Sequence, residues 1–106
     1  ADKSLLFLNR NQILYIESRD RHSNVHTTSS CYEITESLLS LEERFPEYFL
    51  RCHQSYLVNP DFVSSIERFK LTMSDGFVIP IPEKKYTHVK HLLLDLINAQ
   101  SSDTGI

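Results

Sequence analysis

Residues Arg51-Cys52-His53-Gln54-Ser55-Tyr56-Leu57-Val58-Asn59 constrain this chain more than any other stretch. Even positions read Leu50, Cys52, Gln54, Tyr56 and Val58, apolar apart from the central one. Odd positions read Phe49, Arg51, His53, Ser55 and Leu57, polar only in the middle. Strand side chains alternate between two faces, so one unbroken strand would bury Gln54 among apolar neighbours. An unpaired buried amide costs roughly 1–3 kcal/mol. A break or bulge at His53-Gln54-Ser55 removes that cost by turning Gln54 outward. The stretch therefore predicts two short strands flanking an exposed polar corner.

The flanks predict more strands and two helices. Residues 5–8 and 13–16 are apolar strand patterns separated by a polar turn at 9–12. Residues 19–24 are entirely polar or charged and link to strands at 25–28 and 31–34, with a turn at Ser29-Ser30. Short β-branched and aromatic runs at this spacing favour a β-rich fold. Thr35 is the expected N-cap of a helix with Glu36 in its first turn. Leu38, Leu41 and Phe45 form its apolar stripe, and Pro46 stops it. Beyond the central stretch, Asn59-Pro60-Asp61 predicts a turn and residues 62–66 a turn and strand. Residues 70–73 and 77–79 flank Ser74-Asp75-Gly76, a hairpin signal. Pro80 and Pro82 cannot donate to a ladder, which places the last strand at a sheet edge. A final helix begins near Pro82 and buries Tyr86, Val89, Leu93 and Leu96. Residues 1–98 are expected to form one domain, with 99–106 as a flexible tail.

Composition bounds the function. At 106 residues the chain suits one domain with a real core. No apolar run approaches the ~20 residues of a membrane span, and the first residues lack a signal-peptide pattern. A first residue of Ala fits an excised domain. Two cysteines without metal spacing predict reduced thiols in the cytoplasm, with no metal and no cofactor. Two glycines exclude a Gly-rich phosphate loop. The net charge of −3 argues at first sight against nucleic acid. Glu36, Glu42, Glu43 and Glu47, however, lie on and beside the first helix against Arg44 alone. That helix can hold the whole deficit away from a partner, since screening acts over roughly 10 Å.

Candidate chemistry reduces to surface contacts. Cys52-His53 suggests a nucleophile and base, but adjacent strand residues point apart, and Cys52 lies on the apolar parity. A buried structural thiol is the better reading. His88 and His91 share a helix face without a further metal ligand. Arg19 to Asn24 offers Arg, His, Ser and Asn, which donate to phosphates and base edges. Gln54 presents a paired donor and acceptor that match adenine. Lys84 and Lys85, at the start of the last helix, oppose its dipole.

The run RCHQSYLVN, with Phe49 before it, resembles the core motif of LytTR-type DNA-binding domains, the output domains of LytR/AlgR-type response regulators. The likeness extends to 13–18, 32–34, 37–41, 59–66, 75–76 and 79–86, covering about residues 5–95. It implies a mainly β fold with two helices, an elongated antiparallel β-sandwich of small sheets. It implies sequence-specific binding of double-stranded DNA by loops in major grooves. It further implies direct-repeat promoter sites, paired protomers on DNA, and a receiver domain on the full-length chain. Carried over residue by residue, base contacts fall to Gln54, Lys84, and His22 or Ser23. Phosphate contacts fall to Arg21, Asn24, Arg51, His53, Ser55 and Lys85. The family commonly has a Ser-Arg pair where this chain has Pro82 and Lys84. That change removes a bidentate fork and favours a phosphate contact. The reading that competes is a protein-interaction module that binds no nucleic acid; a thiol enzyme is a third.

Overall fold

The computed structural model describes residues 10–103, and the strand expected at 5–8 lies outside them. Strands β1 (Ile13–Arg19), β2 (His22–Thr27) and β3 (Cys31–Ile34) form an antiparallel meander. Helix α1 (Leu38–Arg44) then leads to β4 (Leu50–His53) and β5 (Tyr56–Val58). Strand β5 pairs with β1 on the side away from β2, giving a five-stranded sheet of order β3-β2-β1-β5-β4. Strands β6 (Val63–Glu67), β7 (Lys70–Met73) and β8 (Val78–Pro80) make a second antiparallel sheet. Pro80 lies on its edge strand, as its missing N–H requires. A short 3-10 turn, Glu83–Lys85, runs into α2 (Tyr86–Asp103).

The large sheet is covered on both faces, which explains the uninterrupted apolar run at the start of β1. On one face Ile13, Ile16, Val25, Ile34, Phe49 and Leu57 pack with Leu38 and Leu41 of α1. On the other, Tyr15, Leu50, Cys52 and Val58 meet Leu71, Met73 and Ile79 of the small sheet and Val89 and Leu93 of α2. The alternation read in the central stretch thus holds, with Leu50, Cys52 and Val58 on one face and Phe49 and Leu57 on the other. Asn59, wholly buried, closes β5 by donating from Nδ2 to the Ile13 carbonyl, while its Oδ1 accepts the Asp61 N–H. That polar bridge ties the end of the central stretch to the start of β1.

Local details correct several expectations. The cap of α1 is Ser37, whose side chain accepts the Ser40 N–H, so the helix starts two residues beyond the expected Thr35 cap. Glu36 instead lies upstream, where its carboxylate receives Arg44 and Ser40. The polar segment 19–24 is not a loop. Arg19 pairs with His22, leaving a two-residue turn of Asp20 and Arg21 with φ of 50° and 68°. Positive φ at both positions matches the twist of a tight hairpin, though a long side chain such as Arg is rarely found there. The final helix is continuous to Asp103.

Candidate nucleic-acid interface

The polar corner forms as the parity required, with the irregularity one residue earlier than expected. Arg51 pairs with Leu57 and His53 with Tyr56, so Cys52 is the extra residue of a bulge. Cys52 remains fully buried, and burial pushes its thiol up to about 12 despite the opposing pull of Arg51 and Lys85. Gln54 and Ser55 form the two-residue turn, with Gln54 exposed. No nucleophile–base pair exists here, because the His53 ring serves the turn.

The corner is held from several sides. His53 Nδ1 accepts the Ser55 N–H at 3.0 Å, which puts the ring proton on Nε2. Partial burial, Lys85 and Arg51 all lower the His53 pKa from its ordinary 6.5, favouring that neutral ring. Its ring meets Tyr56 edge-on at 5.5 Å. Arg51 donates from Nε to the His53 carbonyl at 3.0 Å and from Nη2 to the Gln54 carbonyl at 2.7 Å. Its Nη1 pairs with Glu42 of α1 at 2.9 Å. The Ser55 carbonyl accepts the Ser18 N–H at 2.9 Å, joining the corner to the end of β1.

That last bond brings two predicted regions together. Just past Ser18, Arg19 reaches close enough to Tyr56 to oppose the rise in its phenol pKa, and the Asp20-Arg21 turn follows. Lys85, in the 3-10 turn, is near enough to help lower the pKa of His53. Arg21, Lys84 and Lys85 are all exposed. His22 is half-buried, with Nδ1 turned inward and lacking a hydrogen-bond partner.

Three predicted contacts are placed otherwise. Ser23 is 1% exposed, and its hydroxyl donates to the Glu36 carbonyl at 2.7 Å. It staples α1 to β2 and cannot reach a base without opening the layer. Asn24 lies within β2, opposite Glu17 on β1 and Glu33 on β3. Two flanking carboxylates make that position unfavourable for a phosphate. Arg51 gives two of its guanidinium N–H groups to the corner and a third to Glu42. Conversely, Arg19 was passed over as a contact, although its exposed cation ends the strand that holds Ser55. The signal was the pairing of that strand with the corner, which no local pattern reports.

A cleft of about 290 Å³ between the end of α1 and α2 is mainly apolar, with Glu42, Arg51, His88 and Asp95 at its wall. Among the described residues no cluster of His, Cys, Asp and Glu could hold a metal ion. Nor is any helix long and apolar enough to cross a membrane.

Residues 3–94 match the family model of the LytTr DNA-binding domain. The chain is 29% identical over 97 residues to the sensory transduction protein LytT of Bacillus subtilis, covering 86% of this chain and 40% of that protein. It is 32% identical over 69 residues to the transcriptional regulatory protein LytR of Staphylococcus aureus, covering 64% of this chain and 28% of that protein. The chain thus spans less than half the length of these curated relatives. A solved LytTr DNA-binding domain from Bacillus cereus superposes with a TM-score of 0.71 at 25% identity, covering 82% of this chain and 84% of that one. The chain belongs to the LytTR family of DNA-binding domains, and its two antiparallel sheets with two helices are that family's fold. The family is a DNA-binding one and not a class of enzymes.

Proposed function

We propose that this chain reads specific sequences in double-stranded DNA by inserting two tight turns into major grooves, and so controls transcription as the output domain of a response regulator. The observation that carries this is the bond from the Ser18 N–H to the Ser55 carbonyl. It sets the Asp20-Arg21 turn and the Gln54 corner side by side at one end of the large sheet, with Lys85 near His53. Gln54 presents an amide whose donor and acceptor match N6 and N7 of adenine. His22 is the base-contact candidate of the first turn. Arg21, His53, Ser55, Lys84 and Lys85 reach phosphates, with Arg19 added to them. Phosphate contacts position the protein and base contacts give it specificity. A receiver domain on the full-length chain belongs to the same reading; the relatives, of which this chain spans 40% and 28%, are named as a sensory transduction and a transcriptional regulatory protein. Direct-repeat promoter sites, bound by paired protomers in the cytoplasm, complete the reading.

The test uses a duplex selected by this chain from a random pool and a base-shuffled version of it. Gln54→Ala should lose about 1–3 kcal/mol on the selected duplex and almost nothing on the shuffled one. Its melting temperature should not move, because an exposed amide packs against nothing. Lys84→Ala should weaken both complexes alike and lower the salt slope by roughly one. Equal losses for Gln54→Ala on both duplexes would reduce Gln54 to a backbone contact. Failure of the wild type to bind DNA at any salt would leave the protein-interaction reading.

A further inference from the structure

We infer that Arg51 is not a phosphate contact but the positioning residue of the Gln54 corner, anchored by Glu42; this rests on the DNA-reading role proposed for that corner. The guanidinium is used in three directions at once. Nε holds the His53 carbonyl, Nη2 the Gln54 carbonyl and Nη1 the Glu42 carboxylate, at 3.0, 2.7 and 2.9 Å. Three of the five guanidinium N–H groups are thus engaged, and the Glu42 carboxylate on Nη1 opposes the approach of a second anion.

The geometry explains why a two-residue turn can hold a base-reading side chain steady. The Ser55 N–H is taken by His53 Nδ1 and the Ser55 carbonyl by Ser18. Arg51 takes the carbonyls of His53 and Gln54, so the peptide planes on both sides of Gln54 are fixed. The amide of Gln54 is then the mobile part of a rigid corner. Preorganisation of this kind raises discrimination by removing an ordering cost from the bound state. Glu42 matters because it orients the planar fork: its carboxylate fixes one edge while the other edge meets the carbonyls. The acidic helix α1 thereby acts on DNA reading without touching DNA.

Lysine keeps the charge of Arg51, but its compact ammonium cannot reach three acceptors spread around a planar fork. Arg51→Lys should therefore lower the ratio of affinities for the selected and shuffled duplexes about tenfold, leaving the salt slope unchanged. Glu42→Ala, on the half-exposed face of α1, should lower the same ratio by a smaller factor. Because both act through Gln54, adding Arg51→Lys to Gln54→Ala should cost no further discrimination. A phosphate role predicts the opposite pattern. Arg51→Lys would then leave the ratio unchanged, and Glu42→Ala would release Arg51 and tighten both duplexes equally with a steeper salt slope. An unchanged ratio in Glu42→Ala overturns the inference even if Arg51→Lys proves too unstable to titrate. If Gln54→Ala discriminates as the wild type does, the reading of the corner fails, and the inference with it. If Gln54→Ala loses discrimination while both Arg51→Lys and Glu42→Ala keep it, only the positioning role fails.

Discussion

Ser23→Ala separates a structural role from a recognition role at the position where the two were in competition. In the folded chain the Ser23 hydroxyl donates to the Glu36 carbonyl at 2.7 Å, and the residue is 1% exposed. Alanine removes the donor and fits the space. A net intramolecular hydrogen bond contributes about 0.5–1.5 kcal/mol, and stranding a fully buried partner costs about 1–3 kcal/mol. Glu36 is only half-buried, so water can replace part of what its carbonyl loses. The expected destabilisation is therefore about 1 kcal/mol. For a domain near 100 residues that lowers the melting temperature by about 4–8 °C. Thermal melts followed by circular dichroism give the first number. Titrations of the selected and shuffled duplexes, well below the melt, give the second. Discrimination should match the wild type, since no base meets a buried hydroxyl. A variant that melts like the wild type yet loses discrimination at one base pair would refute the burial argument and return Ser23 to the DNA surface.

Asn59→Ala should be more severe, because it strands the Ile13 carbonyl at a fully buried position and removes the acceptor of the Asp61 N–H. A loss of about 2–4 kcal/mol is expected, read as a lower urea midpoint at constant slope; a midpoint within error of the wild type would show that the bridge is dispensable. At neutral pH one thiol should alkylate quickly and one slowly, Cys31 being exposed and Cys52 buried with its pKa near 12; two fast adducts by mass spectrometry would contradict the core position. The same burial makes stability fall as pH rises from 9 towards 12. There the unfolded thiol has lost its proton and the folded one has not, so the unfolded state gains. Cys52→Ala should flatten that fall, leaving the later contribution of Tyr15, whose phenol burial raises from 10 to about 12.

What the sequence made legible follows from how local each cause was. The corner at Gln54 could be read because a polar residue on an apolar parity leaves few cheap conformations. The edge position of Pro80 and the Asp75-Gly76 turn were readable for the same reason, since Gly76 adopts a φ of 93° there. The hairpin turn at Asp20-Arg21 was not, because Asp20 alone suits positive φ, Arg21 does not, and the pairing of Arg19 with His22 sets the conformation. The α1 cap was missed by two residues because Thr35 and Ser37 are equally good caps on paper; the staple from Ser23 to the Glu36 carbonyl fixes the choice. That staple also took Ser23 out of the candidate site. Asn24 and Arg51 were placed by family position and donor chemistry, neither of which reports their neighbours in the fold. Their carboxylate neighbours, Glu17 and Glu33 for one and Glu42 for the other, come from distant parts of the chain.

The net charge of −3 can now be set against the proposed role with its geometry in view. Two of the carboxylates on and beside α1 are paired internally, Glu36 with Arg44 and Glu42 with Arg51. Among the described residues, Arg19, Arg21, Lys84 and Lys85 have no such ion pair; Arg19 and Arg21 lie at the first turn, and Lys85 acts on His53 beside the second. If each of these cations met one phosphate, the salt slope for a single chain would be about −3.6. Proteins whose binding is carried by charge make more phosphate contacts than that, roughly 6–10. A chain with so few cations attracts bulk DNA weakly, and base contacts must then carry more of the affinity. Rigid presentation of Gln54 serves that need. The proposed second protomer on a repeated half-site would serve it too, by doubling the phosphate contacts and making the second binding event effectively intramolecular.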